Sequence, residues 1–170
     1  MEIDCKICKV RSWKISDIDS LSYHANNRKI WLNLRDAFPF PYSKLDAINF
    51  IRRARSVYPE TYFAIDFNGK AIGSIGFRPG KDIEKVSAEI GYWLGEEFWG
   101  RGITTAALIG LTLFAIQQFK LCRIFAVPFA DNPASFRVLE KAGYRREGIM
   151  HKSCIKDGKI KDQILYSYVV

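Results

Sequence analysis

The chain has 170 residues, a length suited to a single domain with a sizeable core, since domains run to about 100–200 residues. Hydrophobic residues make up 48% and charged residues 26%, with no polar low-complexity tract, which excludes a disordered polyelectrolyte. Lys and Arg number 26 against 18 Asp and Glu, a formal charge of +8 that favours a polyanionic partner, whether nucleic acid, an acidic peptide or a phosphorylated cofactor.

The opening residues Glu2 and Asp4 do not resemble the basic region of a secretory leader, and a cytoplasmic protein is expected. Lys6 to Trp13 alternates weakly and predicts a first strand. Its Cys5-Lys-Ile-Cys8 spacing has no second close pair and precedes no helix start. These thiols, with Cys122 and Cys154, therefore read as reduced cysteines and not as a zinc or redox site. Ser16 with Asp19 predicts a capping box opening a helix through Ile18, Leu21 and Ala25 that ends near Asn26 and Asn27. A short helix carrying Ile30, Trp31 and Leu34 follows, then a loop at Phe38-Pro-Phe-Pro-Tyr42, where each proline removes a donor and disfavours helix before it. Ser43 and Asp46 predict a second box, heading a helix through Ala47, Ile48, Ile51 and Ala54.

Tyr62 to Phe67 and Ala71 to Phe77, joined by Asn68-Gly69, predict a tight hairpin, because Asn-Gly supplies the positive φ angles of the turn. Gly80 to Glu84 reads as a polar loop and Ala88 to Leu94 as a further strand. Ile103 to Phe119 is the most apolar stretch, but Thr104, Thr105, Thr112, Gln117 and Gln118 interrupt it. It falls short of the roughly 20 mostly apolar residues of a membrane span and predicts a buried helix. A strand from Cys122 to Val127, a helix from Pro133 to Lys141, and two strands, Tyr144 to Ser153 and Ile160 to Val169, complete the set. The result is an α/β chain, one domain over residues 1–170, with a mixed sheet covered by helices.

Glu97-Phe-Trp-Gly-Arg-Gly-Ile-Thr-Thr-Ala106 lies between a strand and the long helix. Gly100 and Gly102 let backbone amides approach a ligand, and the first helical turn adds free N–H groups and a positive dipole end, a combination suited to phosphate. Gly-x-Gly alone is a weak signal, lacking the third glycine of a dinucleotide fingerprint and the Lys-Ser/Thr pair of a nucleotide loop. Asn132-Pro133 is a helix start, and Arg137 and Lys141, four apart on that helix, share a face able to supplement the phosphate site.

Gly100-Arg-Gly102 with Thr104-Thr-Ala106, followed by Asn132-Pro-Ala-Ser-Phe-Arg-Val-Leu-Glu-Lys-Ala-Gly-Tyr144, closely resembles the GNAT acetyltransferase superfamily, in particular the branch that acetylates N-terminal amines of ribosomal proteins. The resemblance covers residues 7 to 170. It implies a splayed sheet of about seven strands flanked by helices, with acetyl-CoA lying between the fourth and fifth strands. The pyrophosphate would rest on amides from Gly100 to Thr105, beside Trp99, Arg101, Gly102, Ile103 and Thr104. The pantetheine arm would pair along Tyr92, Trp93 and Leu94. Asn132 would orient the arm, Ser135 would face the thioester sulfur, and Arg101, Arg137 or Lys141 would meet phosphates.

Glu89 occupies the strand from which the family draws a general base and is taken as the group that receives the amine proton, the alternative being a structural bond across the sheet. Two departures stand out. Leu139 occupies the place of the usual phenolic proton donor, leaving Ser135 to bond to the departing sulfur, and Thr105 replaces a glutamate common in the branch. Tyr144 is expected to pack and not to replace the missing acid. Trp31, Phe38, Phe40 and Tyr42 are expected to line the acceptor entrance. His24 and His151 suggest no metal site, and none is expected.

The partner implied is a protein or peptide amine, with ribosomal proteins among the candidates, and the resemblance permits a homodimer, with no membrane or specific nucleic-acid contact. A small-molecule amine or polyamine acceptor, a non-catalytic acetyl-CoA binder and a basic nucleic-acid-binding domain using Arg52, Arg53, Arg55, Arg145 and Arg146 are the alternatives.

Overall fold

The computed structural model describes residues 1–170. The strand expected over Lys6 to Trp13 is shorter, β2 (Lys9–Arg11), and pairs antiparallel with β1 (Glu2–Asp4), an additional strand that precedes it. Lys6 turns the chain at φ 69°, between the two cysteines, and the Cys5 N–H donates to the Cys8 carbonyl at 2.9 Å. The sheet thus has eight strands and not about seven.

The remaining elements follow the sequence closely. Helix α1 (Ile18–Ala25) begins after a 3₁₀ turn at Ile15–Asp17, and α2 (Arg28–Trp31) is capped by Asn27, whose Oδ1 accepts the Lys29 N–H at 2.8 Å. The Ser16–Asp19 box does not form. A box forms at Lys14 and Asp17 instead, where Asp17 accepts the Lys14 N–H at 2.8 Å while also accepting from Arg11. The second box does form ahead of α3 (Lys44–Ser56), with the Asp46 N–H donating to Ser43 Oγ and the Ser43 N–H to Asp46 Oδ2. Strands β3 (Tyr62–Phe67) and β4 (Lys70–Pro79) meet at the Asn68-Gly69 turn, both residues at positive φ, and β5 (Ser87–Leu94) returns antiparallel to β4. Helix α4 (Ile103–Phe119), β6 (Arg123–Ala126), α5 (Pro133–Lys141), β7 (Arg145–Lys156) and β8 (Lys159–Val169) complete the chain. Strand order is β1-β2-β3-β4-β5-β6-β8-β7. No helix is long and apolar enough to cross a membrane.

Two apolar layers hold the helices to the sheet. Ala107, Leu108, Leu111 and Ala115 of α4 pack on Phe63, Ile65, Ile75, Phe77 and Ile90, and the alanines keep the helix close to the strands. Leu21, Ala25, Ala47, Ile51 and Ala54 of α1 and α3 cover the opposite face with Trp13, Tyr42 and Ala64. Covered on both sides, β4 is buried without interruption from Ala71 to Phe77.

The feature that shapes the molecule is the short contact between β5 and β6. They are parallel neighbours over Ser87, Ala88 and Glu89 only, paired with Arg123, Ile124 and Phe125. Past Ala126 the chain reaches Pro128, which has no N–H to continue a ladder, and follows β8 instead. The Ile164 N–H donates to the Pro128 carbonyl at 2.9 Å, Phe129 bridges to Gln163, and Gln163 Nε2 donates to the Val127 carbonyl at 3.2 Å. Beyond Glu89 the strands part.

A buried ion network fastens the early chain to this sheet. Arg11 donates from Nε to Asp66 at 2.6 Å and from Nη1 and Nη2 to both oxygens of Asp17, at 2.8 and 2.9 Å. All three side chains are under a tenth exposed. Asp66 also accepts the Gly69 N–H at 2.9 Å, joining the network to the hairpin turn. Removing the arginine would strand two buried carboxylates. Arg11→Met is therefore expected to lower the urea-unfolding free energy by about 3–5 kcal/mol. Adding Asp17→Asn and Asp66→Asn should recover much of that loss, whereas an unchanged midpoint in the single variant would remove the network from the account of stability.

Tyr42 and Tyr144 give the fold an alkaline limit. Burial pushes both phenols above their ordinary value of 10.0, although the Thr112 hydroxyl, 2.7 Å from the Tyr144 hydroxyl, works in the other direction. A raised folded value means that this stabilisation is fully present below the unfolded value and is lost as pH rises toward the folded one. Unfolding followed by phenolate absorbance should therefore become easier above about pH 10, and Tyr144→Phe should reduce that dependence.

Candidate active site

Where β5 and β6 separate, a cleft of about 460 Å³ opens. Its first wall is the free edge of β5. The Gly95 N–H donates to the Ile72 carbonyl and the Gly80 N–H to the Ser87 carbonyl, so odd-numbered residues of β5 turn their backbone groups to β4. Even-numbered residues turn theirs to the opening. Beyond the short ladder this leaves the Ile90 carbonyl, both backbone groups of Tyr92 and the Leu94 N–H facing the cleft, while the Leu94 carbonyl accepts the Trp99 indole N–H at 2.7 Å. Trp93, expected with its neighbours on this edge, directs its backbone to β4, and its ring lies 5.8 Å from that of Phe38.

The floor is the turn before α4. Gly100 and Gly102 both stand at φ 76°, a left-handed conformation that would strain other residues. The N–H groups from Gly100 through Thr105 have no acceptor within the protein, and the first helical bond is from Ala106 to the Gly102 carbonyl. Arg101 lies on this turn, its guanidinium 5.3 Å from the Phe98 ring, and Arg137 and Lys141 line the same cleft from α5. All three are exposed and none is paired with a carboxylate. Amide donors, a helix N-terminus and uncompensated cations make this turn a site for a polyanion.

The far wall is α5. Asn132 caps it, with Oδ1 accepting the Ser135 N–H at 3.2 Å, so this side chain holds the helix start while lining the cleft. Ser135 Oγ lies 2.8 Å from the Tyr92 hydroxyl, a bond that crosses the cleft from strand to helix. Burial pushes the Tyr92 phenol above 10.0, outweighing the lowering by Ser135, and keeps it protonated. Leu139, fully buried in the main core, offers the cleft nothing. Tyr144 is committed to Thr112 inside that core, as expected for a packing residue.

A second groove, about 530 Å³, runs on the other face of β5 beneath α3 and the proline loop. Both openings share Leu34, Arg35 and Glu89 through Trp93. Between Glu89 and Trp93, Gly91 presents no side chain, and a Cβ there would meet nothing within 4 Å, so the two openings communicate over it. Glu89 is less than a quarter exposed, and each of its oxygens is held by a guanidinium, Oε1 by Arg35 at 2.5 Å and Oε2 by Arg78 at 2.7 Å. The residue expected as the proton acceptor is thus doubly paired, and the Arg78 pair is the bond across the sheet that was its alternative.

Of the four residues expected at the acceptor entrance, Phe38 and Tyr42 line this groove and Trp31 and Phe40 do not. Their rings lie together at 5.9 Å, with the Lys156 ammonium 3.7 Å from the centre of Trp31. Lys156 is buried and paired with Asp36 at 2.7 Å, so the tip of the β7–β8 hairpin draws this aromatic pair to itself. His24 packs edge-on against Phe98 at 5.5 Å, and His151 is exposed beside Asp162 at 3.0 Å, outside the cleft. Cys8 is in the core, its thiol donating to the Ile103 carbonyl at 3.7 Å. Arg35, Arg78 and Gly91 are groove residues that sequence reasoning missed, and Arg53 was singled out there only as part of the basic run from Arg52 to Arg55. Period-2 alternation from Glu89 and Trp93 marks Gly91, whereas nothing in the sequence brings the arginines together.

The family model described as an acetyltransferase (GNAT) domain matches residues 9–145. Over 98 residues the chain is 35% identical to an uncharacterized N-acetyltransferase, YoaA, of Bacillus subtilis, covering 58% of this chain and 55% of that protein. It is 32% identical over 108 residues to the ribosomal-protein-serine acetyltransferase of Escherichia coli, covering 64% and 60%. The chain thus spans little more than half the length of these relatives. Among solved structures, the ribosomal L7/L12 alpha-N-protein acetyltransferase RimL in complex with coenzyme A superposes with a TM-score of 0.89 over 100% of this chain and 98% of that one, at 21% identity. With that model matched across most of its length, the chain belongs to the GNAT acetyltransferase family.

Proposed function

We propose that this protein is an N-acetyltransferase that moves the acetyl group of acetyl-CoA to a primary amine by direct attack, with the N-terminal amine of a protein or peptide as acceptor. The carrying observation is that one cleft joins the unpaired amides from Gly100 to Thr105, three uncompensated cations and the open edge of β5. The fit to coenzyme A is chemical. A diphosphate matches the amides, further phosphate charge matches Arg101, Arg137 and Lys141, and the amide groups of a pantetheine arm match the backbone of Tyr92 and Leu94. When bound, the carrier supplies an activated acetyl carbonyl and a sulfur leaving group. Ribosomal-protein acetyltransferases among the relatives support the choice of acceptor, and a cytoplasmic setting with reduced cysteines goes with it.

This chain's residues then divide the work. The second groove holds the acceptor and delivers its amine over Gly91 to the cleft, where confinement lowers the entropic part of the barrier. Glu89 stands where the openings meet and receives the amine proton, directly or through water, once Arg35 swings off Oε1. Arg35 is exposed and free to do so. Ser135 donates its hydroxyl proton toward the leaving sulfur while Tyr92, hydrogen-bonded to Ser135 Oγ, resupplies it. Strand β5 thereby furnishes the phenol that α5 lacks at Leu139.

Calorimetric titration with acetyl-CoA, paired with mass spectrometry of candidate N-terminal peptides, tests the whole reading. Absence of binding would reject it. Tyr92→Phe is expected to lower kcat by about 10- to 100-fold with little change in the acetyl-CoA Kd, and Ser135→Ala to do the same. Because they share one relay, the double variant should be little worse than either single one. Glu89→Gln should likewise reduce kcat more than acetyl-CoA binding, and an unchanged pH–rate profile would remove it as the proton acceptor.

A further inference from the structure

The groove assigned above to the acceptor is unbalanced in charge, and how each charge is held says what the acceptor carries. Its charged lining consists of Arg35, Arg53 and Arg78 against Asp46 and Glu89. Asp46 is committed to the cap of α3, accepting both the backbone N–H of Ser43, at 2.8 Å, and its hydroxyl, at 2.5 Å. Glu89 divides its two oxygens between Arg35 and Arg78, so two guanidinium groups share one carboxylate. Arg53 makes no hydrogen bond or ion pair through its side chain. Its guanidinium carbon lies 5.9 Å from the centre of the Phe50 ring, which also lines the groove. Of the basic run Arg52, Arg53 and Arg55, only Arg53 borders the groove.

We infer that the groove selects acceptor peptides bearing a carboxylate side chain within the first few residues after the reactive amine. This rests on the peptide-acceptor reading of the preceding subsection. A carboxylate entering here meets Arg53 without breaking any existing pair, and Arg35 at the cost of one bond to Glu89. The second contact has a chemical use, since an acceptor carboxylate that takes Arg35 releases Glu89 Oε1 beside the amine. A lysine or arginine at the same place would meet three guanidinium groups, the arrangement that rejects a wrong partner most effectively. The aromatic side chains of the same groove, Phe38, Phe50 and Tyr62, and its excess of arginines suit a peptide more than a polycationic polyamine.

The test uses the full chain, acetyl-CoA and matched hexapeptides with the same N-terminal residue and Asp, Asn or Lys at the second and third positions, with thiol release giving kcat and KM. The Asp peptide is expected to exceed the Asn peptide by about fivefold or more in kcat/KM, and the Lys peptide to be poorest. Added salt should shrink the difference. Arg53→Glu should reduce the Asp preference and raise the Lys peptide. Arg53 is exposed in the last turn of α3, so the thermal-unfolding midpoint should fall only slightly, and Arg53→Gln, which introduces no new charge, should give an intermediate preference. Equal kcat/KM for all three peptides, or an Asp preference unmoved in both Arg53 variants, would overturn the inference while leaving acetyl transfer to peptides intact. No transfer to any peptide despite acetyl-CoA binding would overturn the peptide reading and this inference together.

Discussion

Three residue pairs hold β5 to β6, and then a proline ends the ladder. The site depends on that limit. Had the pairing continued, the Tyr92 and Leu94 backbone groups would bond to protein, Ser135 would lie behind a strand, and the turn at Gly100 would face a closed sheet. The strands part because the chain after Ala126 finds its partners in β8, through Pro128, Phe129 and Val127. A sheet edge inside a domain leaves polar backbone in need of partners, and here the need is met by aiming that edge into an open cleft.

Alternation along β5 then distributes the chemistry. Even-numbered residues carry free backbone groups to the cleft and, in Tyr92, a phenol that reaches Ser135. Odd-numbered residues put Glu89, Gly91 and Trp93 on the opposite face, where a second groove runs. One strand thereby serves both halves of the proposed reaction, and the residue with no side chain, Gly91, is where they connect. A period of two residues is sufficient for this, since a strand between two helical layers necessarily shows each layer half of its side chains.

The electrostatics of the two openings differ in kind. In the cleft the cations stand unpaired around free amides, an arrangement stable in isolation only because it is exposed to water. In the groove the arginines are partly neutralised by Glu89, and the buried triad of Arg11, Asp17 and Asp66 shows the other extreme, a charge cluster closed on itself deep in the fold. The net charge of +8 therefore has no single meaning: some cations are structural, and others face the two openings.

Much of this was legible in the residue order. Local signals carried the Asn-Gly hairpin, the Ser43–Asp46 box, the limits of α4 and α5, and the glycine turn, because each depends on neighbours within a few positions. Local reasoning failed where a distant partner competed. Asp17, held by Arg11, closes a box on Lys14 where Ser16–Asp19 was expected, and Trp31 and Phe40 pack beside Lys156 and not along the groove. The sequence by itself determined which residues are able to bind an anion, cap a helix or supply a proton. Only the tertiary structure decided that Tyr92 meets Ser135 and that three arginines from separate segments border one groove, because those distances come from strand register and helix packing, which no local spacing encodes.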